Sequence, residues 1–144
     1  MAFFGSKIHS EVECKWADTS KQPIRPDFYI EQPNGYCDVV EFKLPSLKND
    51  SVVGIENRKT FNSAIYSYIA QTRVYEEYFE DPRNRQYLKE EYDINVKYPK
   101  RWLVVCRRWM FSADKWKDIE RGYRNLIIRT YDDIIDGVIS QLYS

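Results

Sequence analysis

Pro26-Asp27-Phe28-Tyr29-Ile30-Glu31-Gln32-Pro33-Asn34-Gly35-Tyr36-Cys37-Asp38-Val39-Val40-Glu41-Phe42-Lys43-Leu44 is the stretch that decides the fold. Residues 26–31 and 36–44 are rich in aromatic and β-branched side chains and read as two strands. Pro45 ends the second, because proline cannot donate to a ladder. Pro33-Asn34-Gly35 suits a three-residue hairpin loop, with Gly at the left-handed bulge position. That loop pairs Gln32 with Tyr36, and counting back pairs Ile30 with Asp38, Phe28 with Val40 and Asp27 with Glu41. Opposed side chains share a face with Cβ atoms roughly 5 Å apart. Lys43, two residues on, shares that face, whereas Asp38 lies on the other. A two-residue Asn-Gly loop would pair Asp27 with Phe42 and split the carboxylates; the proline favours the first register.

Two carboxylates so close repel, and one would prefer to be protonated. A divalent cation removes the conflict, and oxygen ligands with retained waters suit Mg²⁺ or Mn²⁺. A lysine beside the metal can orient or deprotonate an attacking water, which is the arrangement for metal-assisted phosphodiester hydrolysis. The bland alternative is a cross-strand ion network of Asp27, Lys43 and Glu41.

Outward from the hairpin, residues 8–16 alternate, with Ile8, Ser10, Val12, Cys14 and Trp16 on one side, which predicts a half-buried strand. A helix is expected from about Glu56 to Phe79, with Phe61, Ala64, Ile65, Tyr68, Val74, Tyr75 and Tyr78 as its apolar stripe. Residues 82–100 read as loop with one short helix. Trp102 to Cys106 is an apolar run typical of a strand covered on both faces. Residues 112–121 predict a helix capped by Ser112, Leu126 to Arg129 a strand, and Asp132 to Leu142 a closing helix with Ile134, Ile135, Val138, Ile139 and Leu142 inward. The order predicts a mixed α/β domain around one sheet, an antiparallel meander followed by helices and further strands.

The 144 residues fit one domain by the usual prior of roughly 100–200. A composition 43% hydrophobic and 31% charged, with five Gly and six Pro, excludes a disordered, collagenous or low-complexity chain. No apolar run approaches the ~20 residues of a membrane helix, and Met1 to Ser6 shows no secretory signal. Cys14, Cys37 and Cys106 lie far apart without a C-x-x-C, which argues against a disulfide framework or zinc ribbon. The expectation is a reduced, cytoplasmic setting. Net charge is zero, from 22 basic and 22 acidic residues, so a uniformly cationic coat is excluded. Yet residues 82–108 hold eight basic and three acidic side chains. Lys97, Lys100 and Arg101 from this run are candidate phosphate contacts.

Pro26-Asp27, thirteen intervening residues and Glu41-Phe42-Lys43 together resemble the PD-(D/E)xK nuclease signature. Gln71-Thr72-Arg73-Val74-Tyr75 on the following helix resembles the Q-x-x-x-Y motif of RecB-type members. Arg25 to Phe28, Val40 to Pro45 and the Gln71/Tyr75 pair are most similar to the nuclease domain of Shedu antiphage-defence proteins. The resemblance implies a restriction-endonuclease-like sheet and a Mg²⁺-dependent deoxyribonuclease. Asp27, Glu41 and the Phe42 carbonyl would hold the metal, Lys43 would assist the water, and Gln71 and Tyr75 would orient the site or the DNA. Otherwise Tyr75 simply packs. The expected partners are DNA, further copies of the chain or further domains of a parent protein. The specific motifs are confined to residues 25–45 and 61–79.

The chain carries its own controls. Glu13-Cys14-Lys15 is a second E-x-K with no P-D ahead of it, and Gln32/Tyr36 is a second Q-x-x-x-Y inside the turn. It is the conjunction of motifs, not any one of them, that carries weight. The superfamily also has an N-terminal helix bearing a further Glu, for which a strand at 8–16 leaves no room. Either the helix is absent, as in a domain excised from a larger protein, or Glu11 or Glu13 belongs to it. A silent binding, sensing or oligomerisation module on the same scaffold is the competing reading. Of the rest, His9 reads as a surface residue, the cysteines as small core hydrophobes and most tyrosines as core.

Overall fold

The structure is a computed structural model that describes residues 7–18, 20–43, 55–105 and 113–142, with side chains described outside 55–64, 113–116 and 138–142. The elements are β1 (Ile8–Ser10), β2 (Phe28–Glu31), β3 (Cys37–Lys43), α1 (Ile55–Glu80), α2 (Pro82–Tyr92), β4 (Arg101–Val105), α3 (Ala113–Arg121), β5 (Leu126–Arg129) and α4 (Tyr131–Leu142). They form one open, mixed sheet in the order β1-β2-β3-β4-β5, antiparallel from β1 to β3 and parallel from β3 to β5.

The hairpin register is the expected one. Phe28 opposes Val40 and Ile30 opposes Asp38. The turn closes through Gln32 N–H to Tyr36 O at 2.9 Å and Gly35 N–H to Gln32 O at 2.8 Å. Gly35 has φ +87, the left-handed conformation that the bulge requires.

Because opposed residues share a face, the register sorts the core into two layers. On one face Tyr29, Cys37 and Val39 pack with Tyr75, Tyr78 and Phe79 of α1. Leu103, Val105, Leu126 and Ile128 extend that layer against Ile65 and Ile69 of α1 and Ile119 of α3. On the other face Ile30, Val40, Trp102 and Val104 pack with Phe28, Phe42, Ile127 and, from α4, Tyr131 and Ile134. All five residues of β4 are buried, as an apolar run covered on both faces should be.

Two expectations are corrected. The strand over 8–16 is only Ile8–Ser10, because Glu11 sits at φ +56 and turns the chain. The turn switches faces: Ile8 pairs with Ile30 on the α4 side, while Val12 and Cys14 enter the α1 layer. Beyond it only an isolated bridge joins Cys14 to Ile24. Second, Ile135 is 53% exposed rather than inward. The short helix expected within 82–100 is α2, N-capped by Asp81 with Pro82 in its first turn and closed by Asp93 in a left-handed C-cap. Pro45, the expected loop over 46–54, Ser112 and the Cys106 end of the fourth strand lie outside the described residues, as do the side chains of Phe61, Ala64, Val138, Ile139 and Leu142.

Candidate active site

Asp27 lies one step beyond the last paired residue of β2, and the ladder, extended by that step, sets it against Glu41. The alternation that starts at the Gln32–Tyr36 bond makes 27/41 a non-hydrogen-bonded pair, the kind whose side chains approach most closely. The two residues then clasp one another. Asp27 N–H donates to Glu41 Oε1 at 3.0 Å, and Phe42 N–H donates to Asp27 Oδ2 at 2.8 Å. On the opposite face, the Phe42 ring meets Phe28 edge-on at 5.5 Å and Tyr131 at 6.0 Å, which fixes the backbone that carries that amide.

The proline before Asp27 has a local consequence. Continued one step further, the ladder pairs residue 26 with Phe42, and Pro26 has no N–H to give. The Phe42 carbonyl leaves the strand on the same edge as its amide, so it receives no ladder hydrogen bond from Pro26.

Tyr75, from the middle of α1, donates its hydroxyl to Glu41 Oε1 at 2.5 Å. Both residues are buried, and Glu41 is only 5% exposed. Lys43 Nζ stands 3.8 Å from Glu41 Oε2 with its side chain about one-third exposed, and 6.0 Å from the centroid of the Tyr68 ring. Each carboxylate therefore has one oxygen tied to the scaffold. Among the described residues Asp27 Oδ1 has no hydrogen-bond partner, and Glu41 Oε2 meets only the Lys43 ammonium.

Burial pushes the Glu41 carboxyl above the ordinary carboxylate range, and the neighbouring Asp27 charge adds to it. The Tyr75 hydroxyl, the Asp27 amide and Lys43 oppose the rise. The Tyr75 hydroxyl is held far above its usual range, by burial first and then by the Glu41 carboxylate, so it stays a donor.

The set fits a hard divalent cation. Two oxygens on one sheet face lack hydrogen-bond donors among the described residues, a carbonyl left uncapped by the ladder lies beside them, and the exposed Asp27 and partly exposed Lys43 leave the pair open to solvent. Among the described residues no group of three or more His, Cys, Asp or Glu side chains could hold a metal, so neither Glu11 nor Glu13 joins the pair. A site with two carboxylates suits a cation that keeps several waters.

The remaining expected residues are dispersed. Gln71 is one turn before Tyr75 and exposed. Lys97 and Lys100 are exposed, but they line a recess at the opposite end of β3 with Asp38 and Trp102, on the face away from Glu41. Arg101 is corrected outright as a phosphate contact. It is 2% exposed, donates to Thr72 Oγ1 and Arg124 O at 3.0 Å each, and pairs with Glu76 at 3.3 Å. The basic run is also partly spent internally, since Arg83 pairs with Asp81 and Lys89 with Asp93.

Sequence reasoning missed what Arg101 does. Its partners Thr72 and Glu76 flank Tyr75 on α1, so a cation buried against β4 holds the helical turn that presents Tyr75 to Glu41. A signal existed. Arg101 opens the β4 run and lies in register with Val39, an inward position of the central strand.

No protein-family model, curated protein or solved structure matches the chain. No helix among the described residues is long and apolar enough to cross a membrane.

Proposed function

We propose that this chain is a metal-dependent phosphodiester hydrolase, a nuclease domain of the PD-(D/E)xK type, with DNA as substrate and antiphage defence as its setting. One observation carries the reading. Asp27 and Glu41 each keep one oxygen anchored by hydrogen bonds and one oxygen without a hydrogen-bond donor other than Lys43, on the same sheet face.

Asp27, Glu41 and the Phe42 carbonyl would hold Mg²⁺ or Mn²⁺, which supplies Lewis acidity at the scissile phosphate when bound. Tyr75 fixes the Glu41 carboxylate and stays protonated as it does so. Phe42 N–H fixes the Asp27 carboxylate. Lys43 holds a water at the open edge of the site and offers positive charge where the phosphorane charge develops. The DNA assignment and the defence setting rest on the motif resemblance.

A second reading has its own support. Burial and Asp27 favour a protonated Glu41, and a neutral Glu41 would settle the repulsion without a metal, in a silent binding or oligomerisation module. Incubation of supercoiled plasmid with Mg²⁺ or Mn²⁺ separates the two. Cleavage lost in Glu41→Gln supports the nuclease; no cleavage by the parent, together with no thermal shift on adding Mn²⁺, supports the silent module.

A further inference from the structure

The recess at the other end of β3 has the makings of a second site. It encloses about 530 Å³, walled by Tyr36, Asp38, Lys97, Tyr98, Lys100 and Trp102, within the range of roughly 300–1,000 Å³ that accommodates a small ligand or part of a larger one. Tyr98 is 68% exposed and Tyr36 45% exposed, and neither ring belongs to a core cluster. Tyr98 also sits at φ +48, a left-handed conformation that a bulky residue rarely adopts. Lys97 Nζ lies 6.0 Å from the centroid of the Tyr98 ring. Asp38 is the carboxylate among these walls, and its oxygens already accept from Lys100 N–H at 2.9 Å and from Trp102 Nε1 at 3.4 Å. The walls thus combine exposed aromatic faces with two ammonium groups against one hydrogen-bonded carboxylate.

We propose that this recess binds single-stranded nucleic acid, with unpaired bases stacked on Tyr98 and Tyr36 and the adjoining phosphates on Lys97 and Lys100. Stacking is available to any unpaired base and is closed to a base inside a duplex. A duplex or an acidic peptide would use the lysines and leave both rings idle. The recess is three strand positions, roughly 10 Å, from Glu41 along β3 and on the other face, so it would anchor a strand several nucleotides away from the carboxylates. The proposal deepens the nuclease reading by naming the form of its substrate. It rests on that reading only for what happens to the bound strand.

The test is fluorescence anisotropy without divalent metal, using labelled oligothymidylate and oligouridylate of about 15 nucleotides, near the upper site size of single-strand binders. A duplex of equal length and polyglutamate serve as competitors. Tyr98→Asn keeps a residue that tolerates the left-handed backbone, and Tyr36→Ala keeps the turn's backbone bond. Each should weaken single-strand binding by about five- to a hundred-fold, the loss of one stacked base, with circular dichroism unchanged. Lys97→Gln with Lys100→Gln should reduce the slope of log affinity against log salt by about 1.4.

Single-strand binding that depends on the tyrosines, to either oligonucleotide, supports the proposal even if the parent cleaves nothing, in which case only the nuclease reading falls. Absence of single-strand binding overturns it. So does binding indifferent to both tyrosine substitutions, or binding displaced equally well by polyglutamate, and each of these holds even if plasmid cleavage persists.

Discussion

Tyr75 donates its hydroxyl to Glu41 Oε1 at 2.5 Å, joining α1 to the central strand across 34 residues of sequence. The bond leaves Oε2 as the oxygen that faces Lys43, and so determines which edge of the carboxylate meets a cation. Tyr75→Phe should cost about 1.5–3 kcal/mol near neutral pH, the usual worth of a hydrogen bond to a charged group. It should also weaken metal affinity or turnover by about 10–100-fold, as losses of supporting hydrogen bonds do. Urea denaturation and Mn²⁺ titration of the same variant check both; an unchanged affinity would reduce Tyr75 to packing.

Glu41 makes the stability of the metal-free protein depend on pH with a definite sign. Its folded-state carboxyl titrates above its unfolded value, so the native state binds its proton more readily than the unfolded chain does. The destabilisation by Glu41 is fully present above the folded pKa. It fades as pH falls from there toward the ordinary value of about 4.3, so stability rises on acidification in that window. Saturating Mn²⁺ should reverse the slope, because the metal needs the ionised carboxylate. Glu41→Gln should flatten the metal-free slope and raise the melting temperature at neutral pH by about 2–4 °C for each kcal/mol relieved. Calorimetry across that range, with and without metal, reads all three.

Lys43 separates chemistry from binding. Lys43→Met keeps much of the stem and removes the charge. It should leave Mn²⁺ affinity within a few-fold while lowering turnover by about 10²–10⁴. Arginine should not rescue turnover, since guanidinium stays protonated and presents a planar fork rather than a point charge. Cleavage by Lys43→Met at the parent rate would make this lysine structural.

Arg101 should behave as a scaffold residue. Arg101→Met removes the donors to Arg124 O and Thr72 Oγ1 and the partner of Glu76. A loss of roughly 1–3 kcal/mol is expected, because the buried Thr72 hydroxyl oxygen loses its donor, while Arg124 O and Glu76 can turn to water. The salt dependence of nucleic-acid binding should stay as in the parent, in contrast to Lys97 and Lys100. A shallower salt slope in Arg101→Met would restore it to the interface.

The hairpin was legible because its information is local. Pro33-Asn34-Gly35 sets the loop length, the loop sets the register, and the register brings Asp27 to Glu41. Tyr75 was legible through the resemblance of Gln71 to Tyr75 to a Q-x-x-x-Y motif, since its helical spacing alone marked only a packing position. The kink at Glu11 was not, since the alternation of residues 8–16 continues through it and only the path toward Ile24 reveals the change of face. Arg101 was misread because residue type suggested solvent, while its position in β4 required burial. Lys97 and Lys100 read as candidate phosphate contacts from the charge of their run, which does not fix their distance from the carboxylates. The parallel pairing of β3 with β4 sends them to the far end of the sheet, and that pairing is made across two intervening helices.

The central claim is that Asp27 and Glu41 share a divalent cation. A crystal soaked in Mn²⁺ and measured at the manganese absorption edge tests it directly. The account predicts a single anomalous peak in contact with Asp27 Oδ1, Glu41 Oε2 and the Phe42 carbonyl, absent from a Glu41→Gln crystal treated alike. A map with no peak between the two carboxylates, while Tyr75 still donates to Glu41 and Lys43 still faces it, would contradict the account and leave an ion network in its place.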